Sequence, residues 1–194
     1  MTDTAYATVS RTDDAGRRAV VAILTEAFMD DPVVCWLFPD ASERGRLQAG
    51  FYRSLLAHPA AQAGLVGRGE GTAVWLTLAA GQAPHPDPPE AGGDFGAHGA
   101  RLLALGQALA QRHPGGERHL YLPAMGVVRR RQGAGLGSAL LRHGLSQAAG
   151  LGAYLEASSP RSRTLYMRHG FEDLGEPIRL DGGPPLWPMW RAPR

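Results

Sequence analysis

The chain has 194 residues, a length that usually folds as one domain around a sizeable core. Hydrophobic residues make up 44% and charged residues 20%, a balance that excludes a disordered chain. Formal net charge is +2 and all 20 basic residues are arginine, which excludes lysine chemistry such as a P-loop nucleotide site or a Schiff base.

Cys35 is the sole cysteine, so an internal disulfide and a multi-cysteine zinc site are ruled out. The longest aliphatic run, Ala19 to Leu24, is far short of a bilayer span. The polar start Met1-Thr2-Asp3 lacks the basic and apolar regions of a secretory leader. A cytoplasmic protein with no membrane partner is expected. So small a net charge, with arginines scattered except at Arg129-Arg130-Arg131, argues against a nucleic-acid partner. The seven histidines show no metal-binding spacing such as H-E-x-x-H, and no metal is expected.

Tyr6 to Arg11, with β-branched Thr8 and Val9, reads as a short strand. Thr12-Asp13-Asp14 offers caps for a helix to about Phe28. Asp30-Asp31-Pro32 ends that helix, because a residue before proline avoids helical angles. The apolar stretch Val33 to Phe38 stops at Pro39. Ser42 is placed to cap a helix in which Leu47, Phe51, Ser54, Leu55 and His58 share a face. Gly64 to Gly71 reads as a hairpin with its tip at Gly67-Arg68-Gly69, and Thr72 to Leu78 as a strand. Gln82 to Gly93, with four prolines, is a loop. Phe95 to Arg112 has helical spacing around Leu102, Leu105 and Leu109.

His119 to Val127 is strand-like, and a helix with Leu136, Leu140 and His143 on one face runs to about Ala149. Ala153 to Ala157 is a strand, and Ser162 to His169 a short helix closed by Gly170. Phe171 to Leu174 and Leu186 to Arg191 are candidates for the last two strands, with Pro188 suited to an edge or a bulge. No repeat or linker divides the chain, so one domain over residues 1–194 is expected.

Between the His119 strand and the next helix stands Gln132-Gly133-Ala134-Gly135-Leu136-Gly137-Ser138. A strand, a glycine-rich turn and a helix start make an anion site, because the first N–H groups of a helix have no internal partner. Without side chains, Gly133, Gly135 and Gly137 let a diphosphate come close. Two phosphate motifs compete here. A dinucleotide fingerprint needs G-x-G-x-x-G directly after a strand and an acidic residue about 20 positions on, a place Glu156 fills. Against it, Ser138 occupies the third glycine position, and Arg129 to Gln132 separate strand from turn.

The same residues match Q/R-x-x-G-x-G/A, the acyl-CoA motif of the GCN5-related N-acetyltransferase (GNAT) family. Met125-Gly126-Val127 resembles the strand before that motif, and Tyr154-Leu155-Glu156-Ala157-Ser158 the strand after its helix. Leu165-Tyr166-Met167-Arg168-His169-Gly170-Phe171 is similar to the segment that follows. Ala27 to Pro32, Trp36 to Pro39, Ala73 to Leu76 and the Gly183 to Arg191 tail resemble a bacterial branch that includes puromycin N-acetyltransferase. The resemblance implies an α/β (α+β) fold: a mixed, mostly antiparallel central sheet flanked by helices and splayed between the fourth and fifth strands. It also implies acetyl-CoA as co-substrate and an amine as acceptor.

By this resemblance, Met125 and Val127 sit at the splay, with the Val127 N–H near the thioester carbonyl. Gln132, Gly133, Gly135, Gly137 and Ser138 hold the diphosphate, and Ser162 contacts the pantetheine arm. Tyr166 protonates the departing thiolate; a phenol near its ordinary pKa is neutral at pH 7 and can donate. Glu156 is either the base that deprotonates the acceptor amine or a structural carboxylate paired with an arginine. Asp30 and Asp31 are rival acceptor contacts or a helix-ending turn. Trp36 and Trp75 either wall an apolar acceptor pocket or pack in the core. Direct transfer to a small-molecule amine in a ternary complex is the leading expectation. A protein N-terminus as acceptor, or an acyl-CoA-binding module without catalysis, is the alternative. The chain is a monomer or a homodimer.

Overall fold

The computed structural model describes residues 6–9, 13–84 and 95–193. The elements are β1 (Tyr6–Val9), α1 (Asp14–Ala27), α2 (Pro32–Leu37), α3 (Ala41–Ala57), β2 (Ala61–Val66), β3 (Gly71–Leu78), α4 (Gly99–Arg112), β4 (His119–Val127), α5 (Leu136–Ser146), β5 (Gly152–Ala157), α6 (Pro160–Met167), β6 (Glu172–Asp173) and β7 (Trp187–Arg191). Short 3-10 turns at Gly96–His98 and Arg129–Arg131 precede α4 and the glycine turn. Most of the proline-rich loop expected from Gln82 to Gly93 lies outside the described residues. No helix among those described is long and apolar enough to cross a membrane.

Seven strands form one sheet in the order β1-β2-β3-β4-β5-β7-β6, antiparallel except where β4 lies parallel to β5. Side-chain alternation divides the core into two layers. On one face α1 and α3 set Val20, Leu24, Tyr52 and Leu55 against Val74, Leu76, Leu78, Tyr121 and Tyr154. On the other, α5 and α6 set Leu136, Leu140, Leu141 and Tyr166 against Ala73, Trp75, Leu120, Leu122 and Leu155. Leu24, Leu76, Leu78, Leu140 and Leu141 have no exposed surface. Such burial is worth about 1.5–3 kcal/mol for each side chain. A third small core joins α2 and α4 to Ile178, Leu180 and Leu186.

Helix starts follow short-range chemistry. Asp13 caps α1 by accepting from Gly16 N at 2.9 Å. The apolar stretch from Val33 is itself a helix, with Pro32 in its first turn and Asp31 as its cap. The cap of α3 is Asp40 rather than Ser42. Asp40 Oδ1 accepts both the Ser42 N–H at 2.8 Å and the Ser42 hydroxyl at 2.7 Å. His58 ends that helix instead of lying on its face. Pro188 is in a strand paired on both sides, not at an edge. Its carbonyl accepts from Leu174 N at 2.8 Å, so its missing N–H also faces β6, where pairing has already ended.

One irregularity shapes the centre of the sheet. The β3–β4 register passes from Val74↔Ala124 to Leu76↔Tyr121, so Leu122 and Pro123 together oppose Trp75 in a β-bulge. β4 and β5 pair only at His119↔Gly152, Leu120↔Ala153 and Tyr121↔Tyr154, and then part. The bulge adds local twist to β4 just where the pairing stops.

Gly144 in α5 lies under the Trp75 ring, and a Cβ there would stand 2.3 Å from the indole. Alanine in a helix interior normally gains up to about 1 kcal/mol over glycine. Here the indole reverses the sign, and Gly144→Ala is expected to cost about 1–3 kcal/mol through overpacking. A lowered urea midpoint with an unchanged slope is the expected readout.

Candidate active site

Past Tyr121, β4 presents its edge to a gap. The Val128 N–H donates to Glu70 O at 2.9 Å, on the β3 side. Backbone groups alternate along a strand, so Gly126 and Ala124 point the same way, while Met125 and Val127 turn theirs to the gap. Gln132 Nε2 reaches back to Val127 O at 3.1 Å and ties the glycine turn to this edge. The Oε1 of the same Gln132 accepts from Arg161 Nη1 at 3.2 Å, so α6 is tied in as well.

The glycine turn stands at the end of the gap. Gly133 and Gly135 both have φ of +82°, and Gly135 is the N-cap residue of α5 in the left-handed region. No side chain caps α5, so its first-turn N–H groups are left to a ligand or solvent. A Cβ at Gly133 or Gly135 would meet nothing within 4 Å, which leaves open space over the turn. Gly137 serves packing, since a Cβ there would press on Leu165 Cδ2 at 3.2 Å. Each arginine before the turn faces a carboxylate: Arg129 meets Asp30, Arg130 meets Glu26 at 3.7 Å, and Arg131 meets Glu70 at 3.2 Å.

Glu156 lies across the gap, on the face of β5 that carries Tyr154. Its Oε2 accepts from the Tyr121 hydroxyl at 2.9 Å, while its buried Oε1 has no hydrogen-bond partner. Burial pushes this carboxyl up to about 7, against the lowering pull of the Tyr121 and Tyr154 hydroxyls. Among the described residues no salt bridge joins Glu156 to an arginine. The wall behind it is aromatic. His113 stands edge-on to Tyr121 and Tyr154, with ring centroids 4.8 and 4.9 Å away. His113 Nε2 is 2.9 Å from His119 Nε2, and His119 Nδ1 is 2.8 Å from Glu117 O. A carbonyl only accepts, so His119 donates to it from Nδ1.

Asp31 comes to the same region from the start of α2. Its Oδ1 accepts from Val33 N at 2.9 Å, and its Oδ2 from the Ser158 hydroxyl at 2.6 Å, just past the end of β5. Burial raises its pKa, partly offset by these donors. Its charge is felt by two buried phenols, Tyr52 of α3 and Tyr166 of α6, both held above the ordinary tyrosine range mainly by burial. Tyr166 is 7% exposed and packs on Phe171. Asp31 therefore links the end of β5, at Ser158, to the buried phenols of α3 and α6.

The remaining residues stand elsewhere. Trp75 is buried beneath α5, on the opposite sheet face from Glu156. Trp36 belongs to the third core; its Nε1 donates to Asp181 O at 3.2 Å and Arg101 stacks over its ring. Asp30 is engaged by Arg129 at the surface. The Ser162 hydroxyl is used within the helix, in a reciprocal capping box with Ser159. Ser138 Oγ is 3.0 Å from His169 Nε2. Tyr121 and His113 stand beside Glu156 without being marked by the motifs, and Ser158, which closes the matched strand after the motif helix, is the partner of Asp31 that the sequence did not reveal. Among the described residues, no group of three His, Cys, Asp or Glu side chains is placed to hold a metal.

The raised Glu156 pKa has a consequence for stability. Between about 4.5, its ordinary value, and about 7, the folded chain holds a proton that the unfolded chain has lost. Stability from this group is complete below the lower value and falls as pH rises through the upper one. Glu156→Gln removes that loss. The variant is expected to gain on the order of 1–3 kcal/mol over wild type as pH rises through this window. Urea melts at both ends of the window measure it, and a constant difference would contradict the assigned pKa.

Comparison with known proteins agrees with this geometry. Residues 84–171 match the model of the acetyltransferase (GNAT) family. A Corynebacterium glutamicum protein described as "histone acetyltransferase HPA2 and related acetyltransferase" is 30% identical, with 98% of this chain and 97% of that one covered and a TM-score of 0.72. An acyl-CoA N-acyltransferase from Pseudomonas aeruginosa shares the fold at 16% identity, over 98% and 100% of the two chains, with a TM-score of 0.58. The ribosomal-protein-S18-alanine N-acetyltransferase of Escherichia coli shares it at 16% identity, over 97% and 92%, with a TM-score of 0.56. With its parted strands, its left-handed glycine turn and a relative matched from end to end, the chain belongs to the GNAT family of acetyltransferases.

Proposed function

We propose that this enzyme moves an acetyl group from acetyl-CoA directly to the primary amine of a small molecule, with both substrates bound at the parting of β4 and β5. One observation carries the reading. The backbone edge at Met125 and Val127 opens between an uncapped, left-handed glycine turn and a half-buried carboxyl with a pKa of about 7. The donor site fits its ligand: the space over Gly133 and Gly135 is open, and first-turn amides of α5 suit a diphosphate.

In this reading, amides from Gly133 to Ser138 hold the diphosphate, while Gln132 keeps the turn against the strand. The Val127 N–H faces the thioester carbonyl oxygen and stabilises the charge that develops there during attack. Asp31 attracts the acceptor ammonium, and Glu156 removes its proton so that nitrogen can attack. The C–N bond forms and the C–S bond breaks. Of the two protons the ammonium loses, one leaves through Glu156 to solvent; Tyr166 gives its own proton to the thiolate sulfur, and the second ammonium proton restores the phenol. The raised pKa keeps Tyr166 protonated until that moment. Likeness to the branch that includes puromycin N-acetyltransferase belongs to this proposal and brings aminonucleosides into the acceptor range.

Thiol release from acetyl-CoA, followed with aminonucleosides, polyamines, amino acids and short peptides, tests the proposal. Turnover with a small amine is expected, and turnover with peptides alone would contradict the acceptor class. Tyr166→Phe is expected to lower kcat by about 10²–10⁴-fold with coenzyme affinity kept; full turnover would remove the proton-donor role. The pH profile of kcat/KM is expected to rise around pH 7 and to lose that limb in Glu156→Gln.

A further inference from the structure

Beside the glycine turn is a cationic cluster that the transfer chemistry leaves unused. His169, just past α6, touches Ser138 in the first turn of α5 through Nε2 at 3.0 Å. Arg142 stands one turn further along α5, and Arg168 immediately precedes His169. Arg191 of β7 donates from Nε to the His169 carbonyl at 3.2 Å. Burial, and then the charges of Arg142, Arg168 and Arg191, hold the His169 imidazole below its ordinary pKa, so it stays neutral at pH 7.

The contrast with the other arginines is informative. Arg129, Arg130, Arg131 and Arg163 each face a carboxylate. Arg142 and Arg168 are exposed, and among the described residues neither forms an ion pair. Arg142 of α5, Arg168 just past α6, whose Nε also donates to Thr164 O at 3.4 Å, and Arg191 of β7 thus set their charges about one imidazole. Like charges gathered this way repel, and a compact dianion among them would turn repulsion into attraction.

We propose that this cluster receives the 3′-phosphate of coenzyme A and makes the enzyme select the coenzyme over its 3′-dephospho form. The inference rests on the coenzyme reading above: a coenzyme held by its diphosphate on the Gly133–Ser138 amides carries its 3′-phosphate one ribose away, and Ser138, the last residue of that turn, is itself in contact with His169 of the cluster. A phosphate monoester carries close to two negative charges and three acceptor oxygens. Guanidinium groups meet such oxygens with paired, charge-assisted hydrogen bonds. Arg142 and Arg168 supply the charge and have no competing carboxylate, and the Ser138–His169 pair forms the floor.

Isothermal titration of the wild type and of the Arg142→Ala/Arg168→Ala double variant with coenzyme A and with 3′-dephospho-coenzyme A tests this. The wild type is expected to bind coenzyme A about tenfold or more tightly than the dephospho form. The double variant is expected to lose that preference and to keep its affinity for the dephospho form. Equal affinities in the wild type, or equal weakening of both ligands in the variant, would overturn the inference and leave the coenzyme reading standing. A wild type that binds neither ligand would overturn both.

Discussion

The site depends on the failure of β4 to stay paired with β5. Three residue pairs hold the strands parallel, and then the bulge at Leu122 and Pro123 re-aims β4. A proline there has no N–H to offer a ladder, and the extra residue shifts the parity of everything after it. Before the bulge Tyr121 faces α1 and α3; after it Ala124 does, and Met125 and Val127 turn their backbone groups into the gap. An open strand edge in mid-sheet is an unmet hydrogen-bonding surface. In the proposed function the amide-bearing arm of the coenzyme meets that edge.

The electrostatics of the opening follow from the same separation. Where β5 leaves β4, the Glu156 carboxylate is buried among aromatic rings, and the Tyr121 and Tyr154 hydroxyls offset only part of the burial that disfavours its ionised form. Asp31, brought from the far end of the chain, is restrained by its own helix cap and by Ser158. Two carboxyls of raised pKa and a buried phenol, carried by the start of α2, β5 and α6, are a combination that packing alone does not require, and the proposed function uses it for proton transfer. The core is less stable for carrying it.

What was legible in the sequence is what short-range chemistry determines. The turn from Gln132 to Ser138 is readable because positive φ and close approach require glycine there. The strands and helices around it are readable from apolar spacing. Asp40 took the α3 cap from Ser42 because both stand within one turn and a carboxylate is the better acceptor. Trp75 was illegible in a different way. β3 is buried on both faces, so no apolar-polar alternation marks which face the indole takes. Tyr121 and His113 were hidden because their nearness to Glu156 depends on a parallel register between strands about 30 residues apart, which no local pattern encodes. The partners of Arg129, Arg130 and Arg131 come from α1, the turn that follows it and the β2–β3 turn, and adjacency in sequence does not reveal them.

A crystal structure of the enzyme with acetyl-CoA tests the central claim most directly. The account requires the diphosphate oxygens within hydrogen-bond distance of the amides of Gly133, Gly135 and Gly137, and the thioester carbonyl beside the Val127 N–H between β4 and β5. A coenzyme bound elsewhere, or strands that close on each other past Tyr121 and Tyr154 with the ligand outside, would contradict it.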